Sequence, residues 1–185
     1  MESIFDKWKT KIPKFNKTYK ETLFTDLANY GGGSQKTKFY KGRHFETAYE
    51  LYMYAFFLGL YTNQFKPLDK EDEKVDFSQP IQFWGNKSGR IGREDFSNLQ
   101  EYIFAALIAK TDINFIALEK GEIDEDEVVK SLLNTMESYT NGGLMIISEK
   151  ITETPLFFLN APSFLNMILE SNTTETKKKK KEKNR

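Results

Sequence analysis

Apolar positions along the chain fall into blocks of different kinds. The block from Thr47 to Tyr61, TAYELYMYAFFLGLY, is apolar almost throughout, with Glu50 its one charged residue. On a helix, Leu51, Ala55 and Leu58 share a face, with Tyr52 and Gly59 beside them. Met53, Phe56, Phe57 and Leu60 cover the other sides. A helix that is apolar all round is buried all round. The block falls short of the roughly 20 apolar residues that span a bilayer. It therefore predicts the central helix of a helical domain. A second block, starting near Leu99, puts Leu99, Tyr102, Ile103, Ala106 and Leu107 on one face and Phe104, Ala105 and Ile108 on its flank. Ser97 and Gln100 have the spacing of a capping box at its start. This second helix is the natural packing partner of the first.

The remaining blocks are amphipathic. Ser3 to Lys11 predicts a short helix with Ile4, Phe5, Trp8 and Ile12 on its apolar side. Pro13 suits the first turn of another helix, in which Phe15, Tyr19, Leu23, Leu27 and Tyr30 recur at helical spacing. Gly31-Gly32-Gly33 stops it. Thr111-Asp112 caps a continuation over 113–118 that Gly121 ends. Asp124 and Glu127 mark the start of a helix carrying Val128, Val129, Leu132, Leu133 and Met136, with acids in the turn where they complement the helix dipole. Asn141-Gly142-Gly143 predicts a sharp turn, then a further helix with Leu144, Ile147 and Ile151. Pro155 and Pro162 open two short helices. Between the two apolar blocks, Thr62 to Phe96 reads as an irregular insertion. Its patch Pro80-Ile81-Gln82-Phe83-Trp84-Gly85 should tuck back onto the core. The expected fold is all-α: a single compact domain of about seven helices by periodicity, with that insertion and a disordered basic C-terminal tail. The expected divisions are a basic helical arm with a Gly-rich linker at 1–43, a helical core at 44–170 and a Lys-rich tail at 171–185.

Composition narrows the chemistry. No cysteine occurs among the 185 residues, which excludes disulfides, thiolate nucleophiles and Cys-based zinc sites. His44 is the only histidine, so the usual zinc ligand sets cannot be assembled. No P-loop or EF-hand spacing occurs. No catalytic residue, metal ligand or cofactor site is assigned. The zero net charge hides an asymmetry: residues 1–43 hold 10 Lys/Arg against 4 Asp/Glu, residues 44–170 hold 10 against 21, and residues 171–185 hold 7 against 2. An acidic body thus carries a basic stretch at each end, a distribution that can mark nucleic-acid contact.

Three basic groups are the candidates. Lys36, Lys38 and Arg43 alternate with Phe39 and Tyr40, a mix able to hold a single strand by charge and stacking. Lys87, Arg90 and Arg93 lie among Gly89 and Gly92, where backbone amides can approach a phosphate. Lys177, Lys178 and Lys179 begin the C-terminal run. Each group also has a plainer reading as a solvated surface. The N-terminal stretch MESIFDKWKTK lacks a secretory pattern, which makes a cytoplasmic location the default expectation. One polybasic run alone is a weak membrane anchor, so no membrane partner is expected.

Four pieces taken in order carry a resemblance: the helix ending AFFLGLY, the break at Lys66-Pro67-Leu68, the stretch TDINFIALEKG and the stretch YTNGGLMIISEKI. Over roughly Phe45 to Ile151 the chain resembles the family of DNA phosphorothioation (dnd) system-associated protein 4. The resemblance implies a non-catalytic accessory protein of bacterial DNA modification and anti-phage defence, acting through a protein partner and with DNA nearby. A nucleic-acid-binding module built on the basic groups is the alternative. A carboxylate-dependent hydrolase stands third. Similar sequences also carry a glycoside hydrolase family 15 label, but that fold is an α/α barrel larger than this chain. Its reaction also needs two carboxylates at a defined separation.

Overall fold

The computed structural model describes residues 3–28, 45, 47–70, 73–85, 96, 98–160 and 162–169. In chain order the elements are α1 (Ile4–Lys9), β1 (Lys14–Asn16), α2 (Thr25–Leu27, entered through a π-helical turn at Lys20–Phe24), α3 (Ala48–Tyr61), β2 (Lys74–Asp76), α4 (Leu99–Lys110), α5 (Phe115–Glu119), α6 (Glu125–Glu153) and α7 (163–169). Short 3-10 turns occupy Ile81–Phe83 and Phe157–Leu159. The protein is all-α apart from one two-stranded sheet among the described residues. Contacts group the chain into two compact units. Unit 1 is 1–16 with 67–138, and unit 2 is 17–66 with 139–185.

Unit 1 is built on aromatic packing. Ser3 caps α1, its Oγ accepting the Asp6 N–H at 3.1 Å while the Asp6 carboxylate accepts the Ser3 N–H at 3.3 Å. That turn delivers Trp8, fully buried, to Phe104 at 5.4 Å between rings. The helix expected from Pro13 onward does not begin there. Lys14 to Asn16 instead pairs antiparallel with Lys74 to Asp76, Phe15 opposite Val75. The Pro13 carbonyl accepts the Phe77 N–H at 2.8 Å. The alternation Lys14-Phe15-Asn16 fits a strand with one buried face, and Phe15 meets Phe77 on that face at 6.1 Å. Helical structure starts only after Lys17. The patch at 80–85 does fold inward: Ile81 and Trp84 are fully buried.

Helix α4 is rotated from its expected face. Ile103 and Leu107 are buried, but Tyr102 is 67% exposed and Gln100 turns inward. Gln100, read as half of a capping box, sends its amide N–H groups to the carbonyls of Gln82 at 3.0 Å and Trp84 at 2.8 Å. Its partner in that reading, Ser97, lies outside the described residues. The cap of α5 is Asn114, whose Oδ1 accepts the Ala117 N–H at 3.0 Å, rather than Thr111-Asp112. Gly121 ends α5 as expected, at φ 70°, with its N–H donated to the Leu118 carbonyl.

Unit 2 is organised by α3 and the second half of α6. Leu51, Tyr52, Ala55, Phe56 and Leu58 are fully buried, as the central-helix reading requires. Its partner in this unit is the stretch after Tyr139, whereas α4, the partner expected from the sequence, belongs to unit 1. The turn expected at Asn141-Gly142-Gly143 is absent, because α6 runs unbroken for 29 residues. The glycines serve close approach instead. A Cβ on Gly143 would overlap the Ala55 carbonyl oxygen, and one on Gly59 would overlap that of Tyr139. Backbone meets backbone here, and only glycine permits it. A Cβ on Gly142 would likewise strike the Gln64 carbonyl, so the 62–66 segment also lies on this glycine surface.

Candidate functional site

None of the nine basic residues singled out from the sequence falls within the described residues. Lys36, Lys38 and Arg43 lie in 29–44, Lys87, Arg90 and Arg93 in 86–95, and Lys177, Lys178 and Lys179 in 171–185. His44 lies outside them too. The described residues offer other polar clusters.

The most chemically distinctive of these is in unit 1, around Glu137. This half-buried carboxylate on α6 accepts the Lys14 N–H at 2.8 Å. Burial pushes its pKa above the usual carboxylate range. The Lys14 amide, Lys14 and Lys74 pull against that rise, and Asp76 adds to it. Across the sheet, Lys14 Nζ stands 3.7 Å from the Asp76 carboxylate, and Lys74 Nζ donates to the Leu68 carbonyl at 2.9 Å. A carboxyl held above its ordinary pKa is a candidate proton donor. Here one of its oxygens is spent on a strand amide, which makes Glu137 a fastener of the sheet to α6. Sequence reading passed over it. The signal was an acid on α6 four residues after half-buried Leu133 and four before buried Asn141.

Unit 1 also has a shallow cavity of about 590 Å³ where α5 meets α6, lined by Leu118, Gly121, Ile123 and the acids Glu122, Asp124, Glu125 and Glu127. Its acids are partly committed. Asp124 Oδ1 accepts the Asp126 N–H at 3.4 Å, and Glu125 pairs with Lys7 at 2.7 Å, which raises the pKa of that lysine. Among the described residues no group of three or more His, Cys, Asp or Glu is placed to hold a metal ion.

Unit 2 holds its polar groups as internal ties. Tyr54 donates its hydroxyl to the Phe164 carbonyl at 2.7 Å, and burial pushes the phenol well above its ordinary pKa. Asn141, 2% exposed, donates from Nδ2 to the Lys66 carbonyl at 3.1 Å, while its Oδ1 has no partner. These groups secure a loop and a terminal helix. No helix among the described residues is long and apolar enough to cross a membrane. Comparison with protein-family models, curated proteins and solved structures gives no match.

Proposed function

We propose that the protein is a non-catalytic accessory component of a bacterial DNA-modification or anti-phage defence system, working through contact with a protein partner. The observation that carries this reading is where the polar and apolar groups go. Glu137, Gln100, Glu125, Tyr54 and Asn141 are engaged in holding elements together. Large apolar side chains meanwhile face solvent in unit 1: Tyr102, Phe115 and Ile116 are 67%, 50% and 66% exposed. Exposed aromatic and branched side chains suit a protein contact. The resemblance over Phe45 to Ile151 supplies the defence setting.

The test is affinity capture of the tagged chain from its native host with quantitative mass spectrometry. Enrichment of a DNA sulfur-modification or restriction component is expected, and it should fall about tenfold when Phe115→Ser and Ile116→Ser are combined, the scale of an interface hot spot. Capture of the chain without any such component would overturn the reading.

The charge distribution favours a second reading, direct nucleic-acid contact by the basic arm, the 86–93 loop and the Lys-rich tail. An excess of six cations in residues 1–43 and five in residues 171–185 flanks an acidic body. Phosphate attraction of this kind is sequence-independent and salt-sensitive.

A further inference from the structure

The small sheet of unit 1 is fastened along one edge and open along the other. Its register decides which groups point where. The Phe77 N–H reaches the Pro13 carbonyl at 2.8 Å, and Phe15 stands opposite Val75. Hydrogen-bonded pairs alternate along an antiparallel ladder. Phe15 and Val75 therefore bond across the sheet, while Lys14, Asn16, Lys74 and Asp76 turn their main-chain groups outward. On the β1 side, Glu137 takes the Lys14 N–H at 2.8 Å. On the β2 side, nothing among the described residues bonds the outward N–H and C=O groups of Lys74 and Asp76. Both residues are exposed, and Val75 between them is half-buried. An open edge of this kind is a template for another strand.

The side chains of β2 select which strand it takes. A cation, an apolar residue and an anion follow one another along it. A second β2 laid antiparallel about a two-fold axis at Val75 sets Lys74 opposite Asp76 of the second copy, and Asp76 opposite its Lys74. These are the residues whose N–H and C=O groups face outward, so each pair can exchange two hydrogen bonds. Opposite charges directly across a ladder attract, and like charges repel. Across the charged face, each row then reads Lys14, Asp76, Lys74, Asn16, with Lys14 Nζ already 3.7 Å from Asp76. The other face joins Val75 to Val75, beside buried Phe15 and Phe77. A parallel pairing in register would instead set Lys74 against Lys74 and Asp76 against Asp76.

We propose that β2 is a self-association edge, pairing with β2 of a second copy of this chain to make one continuous antiparallel sheet. The contact is isologous, the same residues serving both copies. Three residues a side fall well below the standard interface size, so the dimer is weak and concentration-dependent. The Lys74 ammonium rests on the Leu68 carbonyl of its own chain at 2.9 Å and moves to Asp76 of the second copy on pairing. The charges also exclude strands without this alternation, which is how an open edge avoids indiscriminate pairing.

The experiment is sedimentation velocity on the full chain over a concentration series reaching the millimolar range, where a monomer–dimer equilibrium is expected. Lys74→Asp and Asp76→Lys, each alone, put like charges across the axis and should weaken the dimer about tenfold. Mixed in equal amounts, the two variants are complementary again, and association should return. Circular dichroism checks that each variant is folded. The chain has no cysteine, so Val75→Cys introduces a single thiol at the axis. Paired residues there lie about 4.5 Å apart between Cα atoms, within disulfide range. A mild oxidant should link this variant into dimers, and should not link Lys120→Cys, whose thiol sits at the exposed end of α5. Four results would each overturn the proposal: a monomer at every concentration, a dimer indifferent to both charge reversals, a mixture of the reversed variants that does not associate, or Val75→Cys linking no faster than Lys120→Cys.

Discussion

Gly143 shows how much one missing methyl decides. In a helix interior, Gly→Ala ordinarily gains about 1 kcal/mol. At Gly143 the added Cβ would overlap the Ala55 carbonyl, and both groups are backbone, so neither rotates away. Overpacking of this kind costs about 1–3 kcal/mol. Gly143→Ala is therefore expected to lower the urea midpoint of unfolding with an unchanged slope. Gly121→Ala provides the contrast. Nothing lies within 4 Å of an added Cβ there, and only its φ of 70° opposes the change, at about 1–2 kcal/mol. Glu137 gives a pH signature. Its folded pKa is raised above the ordinary 4.5, mainly by burial. The stability it contributes is fully present below its unfolded pKa and is lost as pH rises through the folded value. Glu137→Gln keeps an acceptor for the Lys14 amide and removes the buried charge. Thermal melts should show the variant more stable than the parent at neutral pH, with the gain shrinking as pH falls to the ordinary carboxylate range. A constant difference across that range would exclude the linkage.

Elements were legible where a local rule and the tertiary contacts agreed. The short helix expected from Ser3, Gly121 after α5 and the all-round apolar α3 each depend on neighbours within a turn or two. Misreadings came where a distant partner overrode the local signal. Pro13 looked like a helix opener, but Lys74 to Asp76 offered Lys14 to Asn16 a ladder. Asn141-Gly142-Gly143 looked like a turn, but α3 and the 62–66 segment reward a helix with no side chains there. Gln100 was a cap by spacing and is a bridge in three dimensions. Gln100→Leu would leave the Gln82 and Trp84 carbonyls without their donor. Loss of such buried hydrogen bonds costs about 1–3 kcal/mol. Denaturation should show that loss, and hydrogen exchange should quicken over the segment from Ile81 to Trp84.

At the scale of the whole molecule, charge is the property that sequence reports best. The acidic body and basic ends come from counting, and they yield a direct test of the second functional reading. If the ends bind nucleic acid, affinity for a short DNA must fall steeply with salt. Removing residues 171–185, which carry seven Lys/Arg, should then flatten that slope; fluorescence anisotropy across a salt series measures both. Lack of binding at low salt would end that reading. The candidate site was less legible. The basic groups picked from the sequence lie outside the described residues, and the groups that structure brings forward, half-buried Glu137 and buried Asn141, share one side of α6. By itself the sequence determined the helical class, the burial of α3 and the absence of thiol chemistry, because composition and short-range periodicity settle those. Tertiary structure alone decided that a glycine pair continues a helix and that a proline precedes a strand. Each depends on what lies opposite in space, and spacing along a chain carries no record of that.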